Sequence, residues 1–307
     1  MNLEELFESK NPSKANDNIV IVDFSNLLHS SFHAQVRFDK SLESNFEKYA
    51  MWRYILLNQI VLIKTKLQPT ELILAIDSSS WREKEFKYYK AKRKLDRENQ
   101  KDFDYEEFIQ TANQFIEQIE STFPYKVIKY DNAEADDVIG VLATLFAEQN
   151  KNCTIVSRDK DFKQLLKYNN IKFYDPIDKE FKEVKDPFGF LFDHISGGDT
   201  SDGIPNILSD DNTFVDSTKR QKRMTKKVKE QINDLGIEKY CIENGLIQNY
   251  ERNKKLIDLS KIPEDIVEGI KYEYNNAKPQ KPNFMKVAAF FKKYKIKSLE
   301  DKVDQFL

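Results

Sequence analysis

The chain has 307 residues, with 49 Lys and Arg against 51 Asp and Glu (formal charge −2), 40% hydrophobic and 12% aromatic residues. That composition supports a sizeable core and argues against disorder, and no apolar run approaches the ~20 residues of a membrane-spanning helix. Two distant cysteines, Cys153 and Cys241, form neither a disulfide framework nor a CxxC metal site, and the acidic Met1–Lys10 segment lacks the apolar core of a signal peptide, so a cytoplasmic setting is expected.

In chain order, Met1–Asn18 is polar, with Leu3, Leu6 and Phe7 at helical spacing, and reads as a tail able to dock a partner. Ile19–Phe24 is an apolar run containing Asp23, the look of a central parallel strand. Tyr49–Lys66 carries helical periodicity and stops near Pro69, and Leu72–Asp77 repeats the strand ending in an acid. Trp81 to about Arg97 is basic, aromatic and expected to be helical. A helix over Asp104–Phe123, a short strand over Lys126–Tyr130, a helix from Ala133 to about Asn150, and strands over Cys153–Ser157 and Ile171–Tyr174 follow. Beyond Pro187 the strand signal fades and helical patterns with Lys-rich segments take over. Strands alternating with long helices predict an α/β fold: a mostly parallel central sheet flanked by helices, followed by a smaller helical C-terminal domain.

In such a sheet ligands gather beyond the carboxyl ends of the strands, where Asp23, Asp77, Asp159 and Asp161 all fall. A single Asp after a strand is usually a turn residue or a cap, but three strands sharing the feature weaken that explanation. Ala133-Glu134-Ala135-Asp136-Asp137 adds three acids at a helix start. Glu134 and Asp137 share a helix face, whereas Glu134 and Asp136 converge only if Glu134 precedes the first full turn; Asp137 is the candidate for a cap. Asp199 and Asp202 lie three apart in the Gly-flanked loop Gly197–Pro205 and can join the same group. Crowded carboxylates repel and raise one another's pKa unless cations sit among them. Hard oxygen donors point to Mg²⁺ or Mn²⁺ rather than zinc, and two such ions ~3.5–4 Å apart are the usual apparatus for phosphodiester hydrolysis. His29, His33 and His194 have no nucleophile at motif spacing and read as structural. Basic runs over Lys87–Lys94, Lys219–Lys229 and Lys292–Lys297 complete the pattern of a negative pocket within a positive rim, as for an enzyme acting on a polyanion.

The blocks IVDFSN, AIDSSSWR, YYKAKR, AEADD, SRDKDF and GDTSDGIPN resemble, in that order, the 5′-nuclease superfamily of flap endonucleases and polymerase-associated 5′–3′ exonucleases. Along nearly the whole chain the likeness is to the ribonuclease H type of T-even phages. The resemblance implies a PIN-like 5′-nuclease fold, a catalytic part over residues 1–186 with a helical arch at about 82–104, and a DNA-binding part over residues 187–307. It implies two Mg²⁺, with Mn²⁺ able to substitute: Asp23, Asp77, Glu134, Asp136 and Asp159 around the first, Asp161, Asp199 and Asp202 around the second, and Asp159 between them. Arg82 and Lys90 match catalytic residues at the foot of the arch, with Tyr89 placed to stack on a terminal base and Arg93 beside it. After the Asp199–Asp202 loop the family's Gly-hydrophobic-Gly turn is replaced by Ile207–Asp211 and an inserted Asn212–Arg220, which leaves Lys226 and Lys227 as candidates for backbone phosphates.

The activity so implied is removal of RNA primers from RNA–DNA hybrids and cleavage of duplex or flap DNA from the 5′ end. The implied protein is a monomer that works with a sliding clamp and a single-strand-binding protein. The Leu3–Phe7 and Asp304–Leu307 segments are candidates for docking peptides. A non-catalytic nucleic-acid-binding accessory protein and a PIN-type ribonuclease are the alternatives; the full acid set weighs against the first, the basic arch and helical C-terminal part against the second.

Overall fold

A computed structural model of the chain describes residues 18–38, 45–98 and 105–307. Six strands form one sheet: β1 (Asn18–Asp23), β2 (Glu71–Ala75), β3 (Lys126–Ile128), β4 (Asn152–Val156), β5 (Ile171–Asp175) and β6 (Glu180–Lys182). Their spatial order is β3-β2-β1-β4-β5-β6, with every pair parallel except β5 and β6. The order runs outward in one direction from β1 and in the other from β4, so the topological switch point lies between these two strands. Their carboxyl ends border the crevice where such sheets bind ligands.

Continuous apolar runs become strands buried on both faces, as a parallel sheet requires. Val20, Val22, Leu72, Leu74 and Val156 point to one side, against α1 (Phe24–Phe38), α2 (Asn45–Leu67) and later α5 (Tyr105–Thr122), through Phe32, Trp52, Leu56 and Phe115. Ile19, Ile21, Ile73, Ala75, Cys153 and Ile155 point to the other, against Val138, Ile139, Leu142 and Phe146 of α6 (Ala135–Glu148). Cys153 is a buried free thiol in this second layer.

The basic segment expected as one helix over Trp81–Arg97 is broken. It comprises α3 (Arg82–Glu85), a turn, and α4 (Ala91–Glu98). The break falls at Phe86, whose backbone is extended (φ −142°, ψ 102°) and which is buried together with Trp81 and Tyr89. The turn is pinned at Lys90, whose N–H donates to the Asp202 carbonyl at 2.8 Å and whose φ is +52°. Gly203 lies directly beneath: at φ +74°, a Cβ there would come within 2.9 Å of the Tyr88 carbonyl. The two motif loops are thus locked together by backbone contact. The tip of the expected arch, residues 99–104, lies outside the described residues.

After Pro187 the chain is helical: α7 (Pro187–Gly197), α8 (Lys226–Leu235), α9 (Ile237–Glu243), α10 (Ile247–Ile257), α11 (Glu264–Asn276) and α12 (Phe284–Lys293). Ile195, Ile232, Ile237, Tyr240 and Ile257 form a third core that takes in Phe86 and Tyr89 from the arch foot. The last helices return to the sheet: Ile266 and Ile270 pack on the α6 layer, while Val287, Phe291, Val303 and Phe306 enter the α2–α5 layer. The C-terminal docking candidate is therefore corrected. Phe306 is fully buried, its carbonyl accepts from Tyr125 Oη at 3.0 Å, and the Leu307 carbonyl accepts from Lys64 Nζ at 3.0 Å. The N-terminal candidate, Leu3–Phe7, lies outside the described residues. Among the described residues, no helix is long and apolar enough to cross a membrane.

Phe291 is fully buried against Phe123 and Phe306, at ring distances of 6.3 and 5.0 Å. Phe291→Ala is expected to cost about 3–5 kcal/mol in urea unfolding. A loss below about 1 kcal/mol would mean that the C-terminal helices only lean on the sheet.

Candidate active site

Each strand-end acid is held by hydrogen bonds from neighbouring turns and helix starts. Asp23 closes β1 and is 4% exposed; Ser157, just past β4, donates its hydroxyl to Asp23 Oδ2 at 2.7 Å, and the Asn26 N–H donates to Oδ1 at 3.1 Å. Asp77 follows β2 and accepts the Ala135 N–H at 2.8 Å, so its charge sits against the first turn of α6. Asp159 follows β4 and caps the short 3₁₀ helix Lys160–Lys167 by accepting the Asp161 N–H at 2.9 Å. Glu134 is the residue before α6, in extended conformation (φ −84°, ψ 164°), which resolves the helix-geometry problem: it can face the same space as Asp136. Asp137 is fully buried and accepts the Glu134 N–H at 2.9 Å, the capping role expected of it.

These residues gather in two adjoining cavities. Asp23, Asp77, Glu134, Asp136 and Asp159 line one of about 700 Å³, whose opposite wall carries Lys90, Arg93, Lys94 and Arg97. Asp161, Asp199 and Asp202 line a narrow second cavity. The eight acids are thus gathered at one sheet edge and divided between two adjoining cavities. Asp136 lines both cavities, and Asp159 lines the first while its carboxylate accepts the N–H of Asp161 of the second at 2.9 Å.

Burial and mutual repulsion act on the two groups together. Desolvation, then Asp77, raise the Asp23 carboxyl to about 7. Desolvation, then Asp159 and Asp23, push Asp136 well above the usual carboxylate range. Asp161 is pushed up to about 7 by burial and Asp159, and burial also raises Asp77 and Asp202. Glu134 goes the other way: burial opposes its charge, but Lys90 and Arg82 bring it down to about 2. Cations from the chain therefore neutralise Glu134 at one rim, while Asp23, Asp136 and Asp161 are crowded without equivalent partners. That imbalance, with oxygen donors on several sides, fits a site that takes up divalent cations.

The arch foot is arranged differently from expectation. Arg82 is 3% exposed and lines the narrow second cavity, but its guanidinium is tied to buried acids. Its guanidinium reaches Glu134 Oε2 (3.1 Å), Asp137 Oδ1 (2.8 Å) and the Leu256 carbonyl (2.8 Å), so it is a buried clamp on the start of α6. Tyr89 is likewise buried, with its hydroxyl 2.8 Å from Glu134 Oε2 and 3.1 Å from Asp202 Oδ2; its ring is committed to the third core and is not presented for stacking. Both side chains turn inward on either side of the break at Phe86. Lys90 does line the cavity, 2.5 Å from Glu134 Oε1 and 3.8 Å from Asp202 Oδ1, and Arg93 reaches Asp202 Oδ1 at 2.9 Å with much of its side chain exposed. Lys226 and Lys227 open α8, capped by Thr225; both are exposed, and neither lines the acidic cavities.

One residue set aside on sequence grounds belongs here. His194, on the last turn of α7, is 7% exposed, with Nε2 at 3.1 Å from Asp199 Oδ2 and Nδ1 at 3.5 Å from Asp161 Oδ1. Burial lowers its pKa, but the hydrogen bond to Asp199 and the charge of Asp161 outweigh this and raise it; the same hydrogen bond holds Asp199 well below the usual range against its own burial. The signal was the Gly197-Gly198 pair. Gly198 takes φ +70°, the chain folds back, and the last helical turn meets the acid that follows.

Comparison with known proteins agrees with this architecture. Residues 18–189 match the family described as 5′–3′ exonuclease, N-terminal resolvase-like domain, and residues 189–306 match that described as T4 RNase H, C terminal. Ribonuclease H of Enterobacteria phage T4 is 28% identical over 301 residues, covering 94% of this chain and 96% of that protein. A flap endonuclease of Colwellia psychrerythraea is 28% identical over 53% of this chain and 57% of its own length. The fold is shared with the flap endonuclease of bacteriophage T5 in a complex with DNA and metal ions, at a TM-score of 0.59 and 18% identity, over 84% of this chain and 98% of that one. A sheet-edge acid basin on this fold, with family matches that together run from residue 18 to 306, makes the chain a nuclease of the 5′–3′ exonuclease family.

Proposed function

We propose that the chain is a Mg²⁺-dependent 5′ nuclease that hydrolyses phosphodiesters from the 5′ end of RNA in RNA–DNA hybrids and of duplex or flap DNA, and so removes RNA primers during lagging-strand replication. The observation that supports it most is the two-chambered acid basin, joined through Asp136, at the switch point of the sheet. Asp23, Asp77, Glu134, Asp136 and Asp159 would hold one cation, and Asp161, Asp199 and Asp202 the other. When bound, such a pair supplies charge that activates water and stabilises the leaving oxygen. Crystals of the T5 relatives with divalent metal ions, and with DNA, support the same reading.

The chain's own groups do the rest. Lys90, tethered between Glu134 and Asp202 at the cavity wall, offers its ammonium to the scissile phosphate. Arg93 holds the adjacent phosphate from the mouth of the cavity. Arg82 is a positioning residue: its ion pairs fix Glu134 and Asp137, hence the first turn of α6 that carries Asp136. In this reading residues 1–186 are the catalytic part and 187–307 contact duplex, with Lys226 and Lys227 on its backbone. The protein acts as a monomer in the cytoplasm, alongside a sliding clamp and a single-strand-binding protein.

Asp136→Asn is expected to reduce Mg²⁺-dependent cleavage of 5′-labelled hybrid and flap substrates to background while leaving substrate binding intact; cleavage at the normal rate would remove the basin from the mechanism. Lys90→Ala is expected to slow single-turnover cleavage by about 10²–10³-fold at near-normal stability. Arg82→Ala separates from it: buried Asp137 loses its counter-charge and Glu134 keeps only Lys90, and the expected result is a stability loss of about 3–5 kcal/mol in denaturant unfolding. A fully stable Arg82→Ala protein with slow chemistry would instead place the guanidinium on substrate.

The raised carboxyls also set a pH dependence. The folded protein holds protons on Asp23 and Asp161 up to about 7, while the unfolded chain releases them near the ordinary aspartate value of 3.8. Without metal, folding stability should therefore fall as pH rises between these limits. In EDTA the Tm is expected to drop from pH 5 to pH 8, and the gain on adding Mg²⁺ or Mn²⁺ to be larger at pH 8. An equal gain at both values would mean that the cations bind elsewhere.

A further inference from the structure

The narrow cavity contains a contact that the oxygen donors alone do not explain. Asp161 Oδ1 and His194 Nδ1 are both buried, neither has a hydrogen-bond partner, and they lie 3.5 Å apart. The His194 side chain is only 5% exposed, so water does not compensate its desolvated nitrogen. The other ring nitrogen, Nε2, is 3.1 Å from Asp199 Oδ2.

A neutral imidazole carries one N–H. Asp199 can only accept, so that hydrogen belongs on Nε2, where the carboxylate fixes the tautomer. Nδ1 then turns a lone pair toward a carboxylate oxygen, and two acceptors face each other across 3.5 Å. A proton on either group, or a divalent cation between them, removes the conflict. The arrangement in which a carboxylate orients a histidine whose other nitrogen binds a metal is a recurrent one. Ligand atoms of Asp161, His194 and Asp199 all lie within 4.8 Å of one another, close enough to share one ion.

We propose that His194 Nδ1 is a nitrogen ligand of the second cation site and makes that site favour a first-row transition ion such as Mn²⁺ over Mg²⁺. The proposal rests on the two-cation reading above and assigns it an asymmetry. In the large chamber the five acids Asp23, Asp77, Glu134, Asp136 and Asp159 are oxygen donors and suit Mg²⁺, while imidazole among the acids of the other chamber adds affinity for transition ions that Mg²⁺ does not gain. Asp199 acts through His194, holding the ring so that Nδ1 points at Asp161.

The test is pulsed electron paramagnetic resonance on the full chain loaded with Mn²⁺, with stoichiometry from calorimetry. Two bound Mn²⁺ and a directly coordinated nitrogen are expected, and the nitrogen signal should change when histidine is labelled with ¹⁵N. His194→Gln should abolish the signal and weaken Mn²⁺ binding at one site by about tenfold or more, with Mg²⁺ binding unchanged. His29 and His33 also line the large cavity, so a protein carrying His29→Gln and His33→Gln must keep the signal; this arm decides the matter even if His194→Gln does not fold. Two bound Mn²⁺ without a nitrogen signal would overturn the proposal and leave the two-cation reading standing. Failure to bind Mn²⁺ at all would overturn both.

Discussion

Repulsion among buried carboxylates is the constraint on which the rest of this structure depends. A parallel sheet places the ends of its strands on one edge, and here β1, β2 and β4 are each followed there by an acid. α6 aims its first turn at the same spot and brings Asp136 between them. Left alone, Asp23, Asp136 and Asp161 hold their protons to unusually high pH. Folding tolerates the cluster because part of the charge is answered from within the chain: Arg82 and Lys90 clamp Glu134 and Asp137 at one rim, and His194 touches Asp199 at the far end. The middle has no such answer, and its chemistry is that of a cation site.

The helical part of the chain secures this edge from outside. α7 and α10 carry Ile195 and Ile257 into a core shared with Phe86 and Tyr89, so the arch foot is anchored by the C-terminal helices rather than by the sheet. Arg82 spans the same boundary, with Nε bonded to the Leu256 carbonyl and Nη atoms on the acids of α6. Gly203, under the Tyr88 carbonyl, keeps Asp202 and Lys90 side by side. The final helices then close over both faces of the sheet. Position within the acid basin is thus fixed by three cores at once.

Much of this was legible in the sequence, for identifiable reasons. Apolar runs ending in an acid mark parallel strands whatever their tertiary partners, and Asp23, Asp77 and Asp159 could be placed from that alone. Asp137 could be named as the cap candidate at the helix start, where it shares a face with Glu134. What failed were side chains whose direction depends on distant packing. Arg82 and Tyr89 look like exposed basic and stacking residues in a segment rich in lysine, yet the chain is extended at Phe86 and buries both of them with Trp81 and Phe86. His194 looks like a lone histidine until Gly198 turns the chain back onto it. Phe306 looks like a terminal docking residue but completes a core built mainly from residues far earlier in the chain.

The claim that this edge holds two cations can be tested directly by anomalous diffraction from crystals of the protein grown with Mn²⁺. Two peaks are expected, one among Asp23, Asp77, Glu134, Asp136 and Asp159 and one among Asp161, Asp199 and Asp202. No peak in either chamber at saturating Mn²⁺, with the acids still crowded there, would contradict it.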